Sequence, residues 1–145
     1  MRLRHRVHTS ASTAQVWELL ADPGDWPQFL LLLRRVRGTD GQAETGQRLL
    51  GITRIGSVGL PIDVLEAVRD RRLALLVQTA PGLREQVTFF VTPAVRGGCD
   101  IEVSVVVDGL LAPLGTAPLF LATALSARLL AARARRSPSV ARGAA

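Results

Sequence analysis

Three amino acids are missing altogether from this chain of 145 residues: lysine, asparagine and tyrosine. Cysteine occurs once, as Cys99, so an internal disulfide framework is excluded, and no Cys/His cluster has metal-ligand spacing. Aromatic residues make up only 4% of the chain, two Trp and four Phe. There is no glycine-rich phosphate cradle, no Ser-His-Asp order and no redox-cofactor fingerprint. The chemistry left open is cofactor-free and metal-free, or it is simple binding. No apolar run follows Arg2-Leu3-Arg4-His5-Arg6, so no secretory leader is read here and a cytoplasmic protein is the expectation.

What is abundant is apolar residues, at 48%, enough for one domain with a full core. The net charge is +6, with arginine as the only basic residue besides two histidines. The arginines are scattered over strands and the C-terminal tail without aromatic interleaving, so a nucleic-acid partner is not expected. The basic balance leaves open peripheral contact with an anionic membrane.

Arg2 to Thr9 alternates, with Leu3, His5 and Val7 on one face and Arg2, Arg4, Arg6 and His8 on the other. Period two reads as a half-buried strand. Ser10 or Ser12 then caps a helix with an apolar stripe at Val16, Leu19 and Leu20, ended by Asp22-Pro23-Gly24. Asp25-Trp26-Pro27 reads as a second helix start, with apolar Phe29 to Leu33 following as a covered short helix. A strand is expected around Val36, and five more over Gln47–Ile55, Leu60–Val68, Leu73–Thr79, Glu85–Thr92 and Asp100–Asp108, separated by short turns. Such links imply an antiparallel meander. From Leu119 an Ala/Leu helix runs to Arg136, with arginines at its C-terminal end. The uncharged run Gly109 to Ala127 is long enough to be considered as a membrane span, but Pro113, Gly115 and Pro118 favour a helix packed on a sheet. Residues 1–136 read as one domain and residues 137–145 as a disordered tail.

The order of strand, two short helices, six strands and one long helix resembles the helix-grip, or START-like (Bet v 1-like), fold. The stretch Val16-Trp17-x-Leu19-Leu20-x-Asp22-Pro23-x-x-Trp26-Pro27-x-Phe29 is similar to the polyketide cyclase/dehydrase branch of that SRPBCC superfamily, as are Gly46 before a strand and Arg71-Arg72-Leu73 between strands. The resemblance implies an α+β fold, with a curved seven-stranded antiparallel sheet wrapped around the C-terminal helix and a deep apolar cavity between them. It also implies a hydrophobic small-molecule ligand, and a cyclase/dehydratase acting on a polyketide-like chain. The alternative is a non-catalytic carrier of a lipid, isoprenoid or quinone. The missing tyrosine departs from the pockets of aromatic-polyketide cyclases and favours a more apolar ligand.

The site residues follow from strand parity. If Ile55 faces Ile62, then Thr53/Val64, Gly51/Glu66 and Leu49/Val68 oppose one another on the face with fewer charges, and Arg54/Asp63 is an exposed cross-strand ion pair. Glu66 is then an acid in an apolar cavity beside a glycine, a candidate general acid or base, unless it sits at the sheet margin paired with an arginine. His5, inward with Leu3 and Val7, is the second catalytic candidate. Glu85 shares the parity of Val87 and Phe89 but lies near a turn, where exposure is expected. Trp26, Phe29, Gly51, Thr53, Val64, Phe89, Val103, Leu121 and Leu125 are the candidate substrate-binding residues, with Trp26 and Phe29 lining the mouth. Cys99 lacks a histidine partner and reads as inert. The apolar last helix leaves open a homodimer face.

Overall fold

The computed structural model describes residues 2–38, 41–80, 82–109 and 116–136, with the side chains of residues 80 and 116–124 outside that description. Seven strands form one antiparallel sheet: β1 (Arg2–Thr9), β2 (Leu33–Arg37), β3 (Arg48–Thr53), β4 (Gly59–Val68), β5 (Arg72–Ala80), β6 (Leu83–Pro93) and β7 (Cys99–Asp108). Their order is β1-β7-β6-β5-β4-β3-β2, a meander from β2 to β7 with β1 returning beside β7. This is the helix-grip arrangement the sequence implies. Helix α1 (Thr13–Ala21) and a 3-10 helix (Pro23–Gln28) fill the link between β1 and β2, and α2 (Thr116–Arg136) packs along β1 and β7.

Local chemistry explains the helix ends. Ser12 caps α1, its hydroxyl accepting from Gln15 N while Gln15 Oε1 accepts from Ser12 N. At the other end, the Leu20 carbonyl cannot be met in the usual way. Residue 23 is proline and has no N–H, and Gly24 N donates to Asp22 Oδ1 instead. Trp26 Nε1 donates to Leu20 O at 2.9 Å, and Ala43 N donates to Ala21 O at 2.6 Å. The indole therefore ties α1 to the 3-10 helix, and Trp26 is fully buried.

Here the structure corrects the sequence reading. The second helix begins at Pro23, capped by Asp22, and ends at Gln28. Phe29 is in the core, but Leu31 and Leu32 lie outside any helix, at the surface.

The apolar parity of β1, β6 and β7 faces α1 and α2, and β2 packs on the 3-10 helix. Cross-strand rows on this inner face run His5–Val103–Phe89–Leu73–Ala67, then Leu3–Val105–Val87–Leu75–Val64, then Val107–Glu85–Val77–Ile62–Leu49. In the first row Val103, Phe89 and Leu73 have no accessible surface, and Phe29 stands edge-on to Phe89 with ring centroids 5.6 Å apart. The outer face is laced with ion pairs, among them Arg6–Glu102, His8–Asp100 and Arg84–Asp108. Among the described residues no helix is long and apolar enough to cross a membrane.

Candidate functional site

The first inner-face row is closed at Val103, Phe89 and Leu73, with His5 and Ala67 half-buried at its ends; in the third row Glu85 and Val77 are half-buried between Val107 and Ile62, which are buried. The tips of the β3–β4 and β5–β6 hairpins and the end of β7 gather beyond this row, because antiparallel pairing sets the start of β4 beside the end of β5, and the start of β6 beside the end of β7. The end where Glu85 lies is therefore the candidate mouth of a groove on this face.

Glu85 is the acid of this site, which corrects the expectation of exposure. Its backbone pairs with Val77 on one side and Val107 on the other, and the rest of its row is apolar. Burial pushes its carboxyl above the ordinary glutamate range, since the charged form loses hydration without gaining a partner. The Glu85 side chain has no hydrogen bond or ion pair among the described residues. Parity pointed to this placement, but the nearby turn argued against it. The missed signal is that β6 begins at Leu83, which puts Glu85 inside the strand.

Glu66 is not in the groove, and the reason is a β-bulge. Val64 pairs with Leu75 and Glu66 with Ala74, so one extra residue, Leu65, is inserted into β4. The alternation restarts one position late. Val64 and Ala67 face inward, whereas Glu66 turns to the outer face and meets Arg72, with Arg72 Nη2 donating to Glu66 Oε1 at 2.6 Å. That hydrogen bond, reinforced by the guanidinium charge, holds the Glu66 carboxyl below its ordinary range. The expected cavity acid is a partly exposed ion-pair residue. A cleft of about 510 Å³ lies beside Arg72, lined also by Thr13, Asp70, Arg71 and Phe90, at the end of the sheet away from the mouth.

The register of the β3–β4 hairpin is also corrected. Leu49 faces Ile62 and Gly51 faces Leu60, six positions from the expected pairing. The shift is even, so the faces are preserved and the partners change. Asp63 meets Arg48 at 3.5 Å rather than Arg54. Arg54 instead donates from Nε to Leu31 O and from Nη2 to Pro27 O.

The remaining candidates separate into those that fill the core and those near an opening. Trp26 and Phe29 are fully buried and do not line a mouth. Val64, Phe89 and Val103 are likewise enclosed. Gly51 leaves no open space, because a Cβ there would stand 2.7 Å from Leu33 Cδ2 and 2.9 Å from Ile62 Cδ1. Thr53 Oγ1 is engaged within the hairpin, donating to Ile55 O and accepting from Val58 N, both at 2.8 Å. His5 faces inward as expected and is half-buried, with no hydrogen bond among the described residues. Its row is two removed from that of Glu85, so the two do not form an acid–base pair. His5 and Glu66 lie on opposite faces, with β1 and β4 separated by about 19 Å across the sheet. The side chain of Leu121 lies outside the described residues, and Leu125 is exposed on α2. Cys99 is buried, and desolvation, with Asp100 adjacent, pushes its thiol up to about 11, so it is no nucleophile. No group of three or more metal-ligating side chains converges among the described residues.

Comparison with known proteins bears on the family and the fold. The family model described as polyketide cyclase/dehydrase and lipid transport matches residues 1–137. No curated protein matches the chain. Among solved structures, protein jhp0584 from Helicobacter pylori is similar with a TM-score of 0.73 at 16% identity, covering 92% of this chain and 86% of that one. A protein from Rhodobacter sphaeroides gives a TM-score of 0.66 at 24% identity, covering 91% and 90%. DynU16, from the dynemicin biosynthetic locus, gives a TM-score of 0.69 at 19% identity, covering 90% of this chain and 46% of that one. At these identities the likeness is one of fold.

Proposed function

The chain belongs to the polyketide cyclase/dehydrase and lipid transport family, and we propose that it binds a hydrophobic, polyketide-like small molecule in the groove between its sheet and α2. In this reading Glu85 meets the polar end of the ligand and transfers a proton during cyclisation or dehydration. One observation carries the proposal: a carboxyl without a partner among the described residues, in an apolar row at the hairpin-tip end of the inner face, with its pKa raised by burial. Such an acid holds its proton to higher pH than an ordinary glutamate and suits general acid–base work, which typically contributes ~10²–10⁴-fold. The apolar walls would fold a flexible chain into a reactive shape, the larger source of rate for a cofactor-free cyclisation. The biosynthetic setting named for DynU16 supports this direction.

A second reading, non-catalytic carriage of a lipid, isoprenoid or quinone, is favoured by a different observation. No second titratable side chain shares the inner-face row of Glu85, so a step needing an acid and a base together has only one of them there.

The two readings separate in one experiment. Native mass spectrometry of the protein purified from its own host, without detergent, identifies what co-purifies. The wild type and Glu85→Gln are then compared with that molecule, or with the reaction precursor its structure implies. Catalysis predicts that E85Q binds it and loses turnover by ~10²-fold or more. Turnover by E85Q at the wild-type rate would refute the proton-transfer role. Binding by both proteins with turnover by neither would favour the carrier.

A further inference from the structure

The residues framing the mouth on its β2–β3–β4 side form a surface of unusual composition. Ile55 at the hairpin tip is 88% exposed, Val58 is 54% exposed, and Leu31 and Leu32 beside them are 44% and 54% exposed. The two loops are held together as one surface. Arg54 N donates to Leu32 O, Arg54 Nε to Leu31 O, and Thr53 N to Val58 O. Along the edge strand β2 that leads away from this tip stand the exposed Arg34, Arg35 and Arg37, with Arg35 paired to Ile52 and Arg37 to Leu50, while the Arg54 guanidinium is turned onto Leu31 O and Pro27 O. None of these four has a carboxylate within 4.0 Å among the described residues.

We infer that this rim is a docking surface for an anionic lipid bilayer. In it Ile55, Val58, Leu31 and Leu32 enter the headgroup–acyl boundary, and Arg34, Arg35 and Arg37 face the lipid phosphates. Protruding apolar side chains flanked by cations without a carboxylate partner match the chemistry of that boundary. A second copy of the chain fits less well. A two-fold interface would set the same arginines against their copies, with no acid among the described residues of the patch to offset them. Docked in this way, the mouth beside Glu85 opens toward the membrane, so an apolar ligand could enter or leave without crossing water. The surface does not depend on whether the groove is catalytic.

The test uses the full chain with vesicles of phosphatidylcholine alone or of phosphatidylcholine and phosphatidylglycerol at about three to one. The wild type is expected to sediment with the anionic vesicles and be released by salt. I55D/V58D is expected to stay in solution, and R35A or R37A to lower partitioning about fivefold each. These positions are exposed, so circular dichroism melts should match the wild type. Orientation is read separately with I55W, whose fluorescence brominated acyl chains should quench while the buried Trp17 and Trp26 remain unquenched. Failure of the wild type to bind anionic vesicles, unchanged binding by I55D/V58D, or an unquenched Trp at position 55 would overturn the inference. So would sedimentation showing a dimer that I55D/V58D dissolves in the absence of lipid binding.

Discussion

Replacing Trp26 with phenylalanine separates a structural role for the indole from a ligand-binding one. The indole N–H is the partner of Leu20 O, a carbonyl at the end of α1 that proline at residue 23 and the turned N–H of Gly24 leave open. Phenylalanine removes the donor and leaves that carbonyl buried without a partner, at about 1–3 kcal/mol. The lost second ring removes packing from a site with no accessible surface, adding about 1 kcal/mol. The sum, about 2–4 kcal/mol, is a large share of the ~5–15 kcal/mol that holds a domain folded. It should lower the melting temperature by on the order of 10 °C. Trp17→Phe is the control, because Trp17 has no hydrogen bond among the described residues and should cost less. Urea denaturation followed by far-ultraviolet circular dichroism measures both. If W26F lies within about 0.5 kcal/mol of the wild type, the range of an unimportant surface change, the assignment of Trp26 as the tie between α1 and the 3-10 helix is wrong.

Three further outcomes follow from the acids and the hairpin. The folded pKa of Glu85 is raised by burial, so the folded state holds the proton more tightly than the unfolded chain. Stability from this group therefore falls as pH rises from the ordinary glutamate range through the raised value. E85Q should be more stable than the wild type at neutral pH and lose that advantage in acid, as thermal melts across pH would show. For Glu66 the sign reverses. Its folded pKa is lowered by Arg72, so its contribution is present above the ordinary range and lost as pH falls through the lowered value. E66Q should flatten that acid limb slightly and, with the side chain on the outer face, leave ligand binding and turnover unchanged. Thr53→Val removes two hydrogen bonds inside the β3–β4 hairpin, so about 1–3 kcal/mol should be lost in urea titrations, with Thr53→Ser recovering most of it.

Much of the fold is legible because alternation and turn chemistry act locally. Ile101, Val103, Val105 and Val107 alternate with Asp100, Glu102, Ser104 and Asp108, broken only by Val106, and all four are buried on β7. In the β3–β4 hairpin, parity gives the correct face for Leu49, Gly51, Ile62 and Val64 despite the wrong pairing. Alternation specifies a face, whereas register depends on the turn and on long-range packing. Glu66 shows where the method stops. Nothing in Val64-Leu65-Glu66-Ala67 announces a bulge. The flip follows from Val64 being held to residues 46 and 47 through its own N–H and carbonyl while Ala67 packs against the core. Glu85 is legible by parity but obscured by its distance from a turn. Leu31 and Leu32 read as covered because the run containing them is apolar, and the chain leaves helical geometry at Phe29 before that run can be buried.

The central claim is that Glu85, not Glu66, is the acid of the groove, and carboxyl titration by nuclear magnetic resonance on protein labelled with ¹³C at the glutamate side chain tests it most directly. The account predicts one glutamate titrating above the ordinary range whose signal is absent from E85Q, and one titrating below it that is absent from E66Q. A Glu85 carboxyl titrating in the ordinary range, or a raised signal that disappears in E66Q, would contradict it.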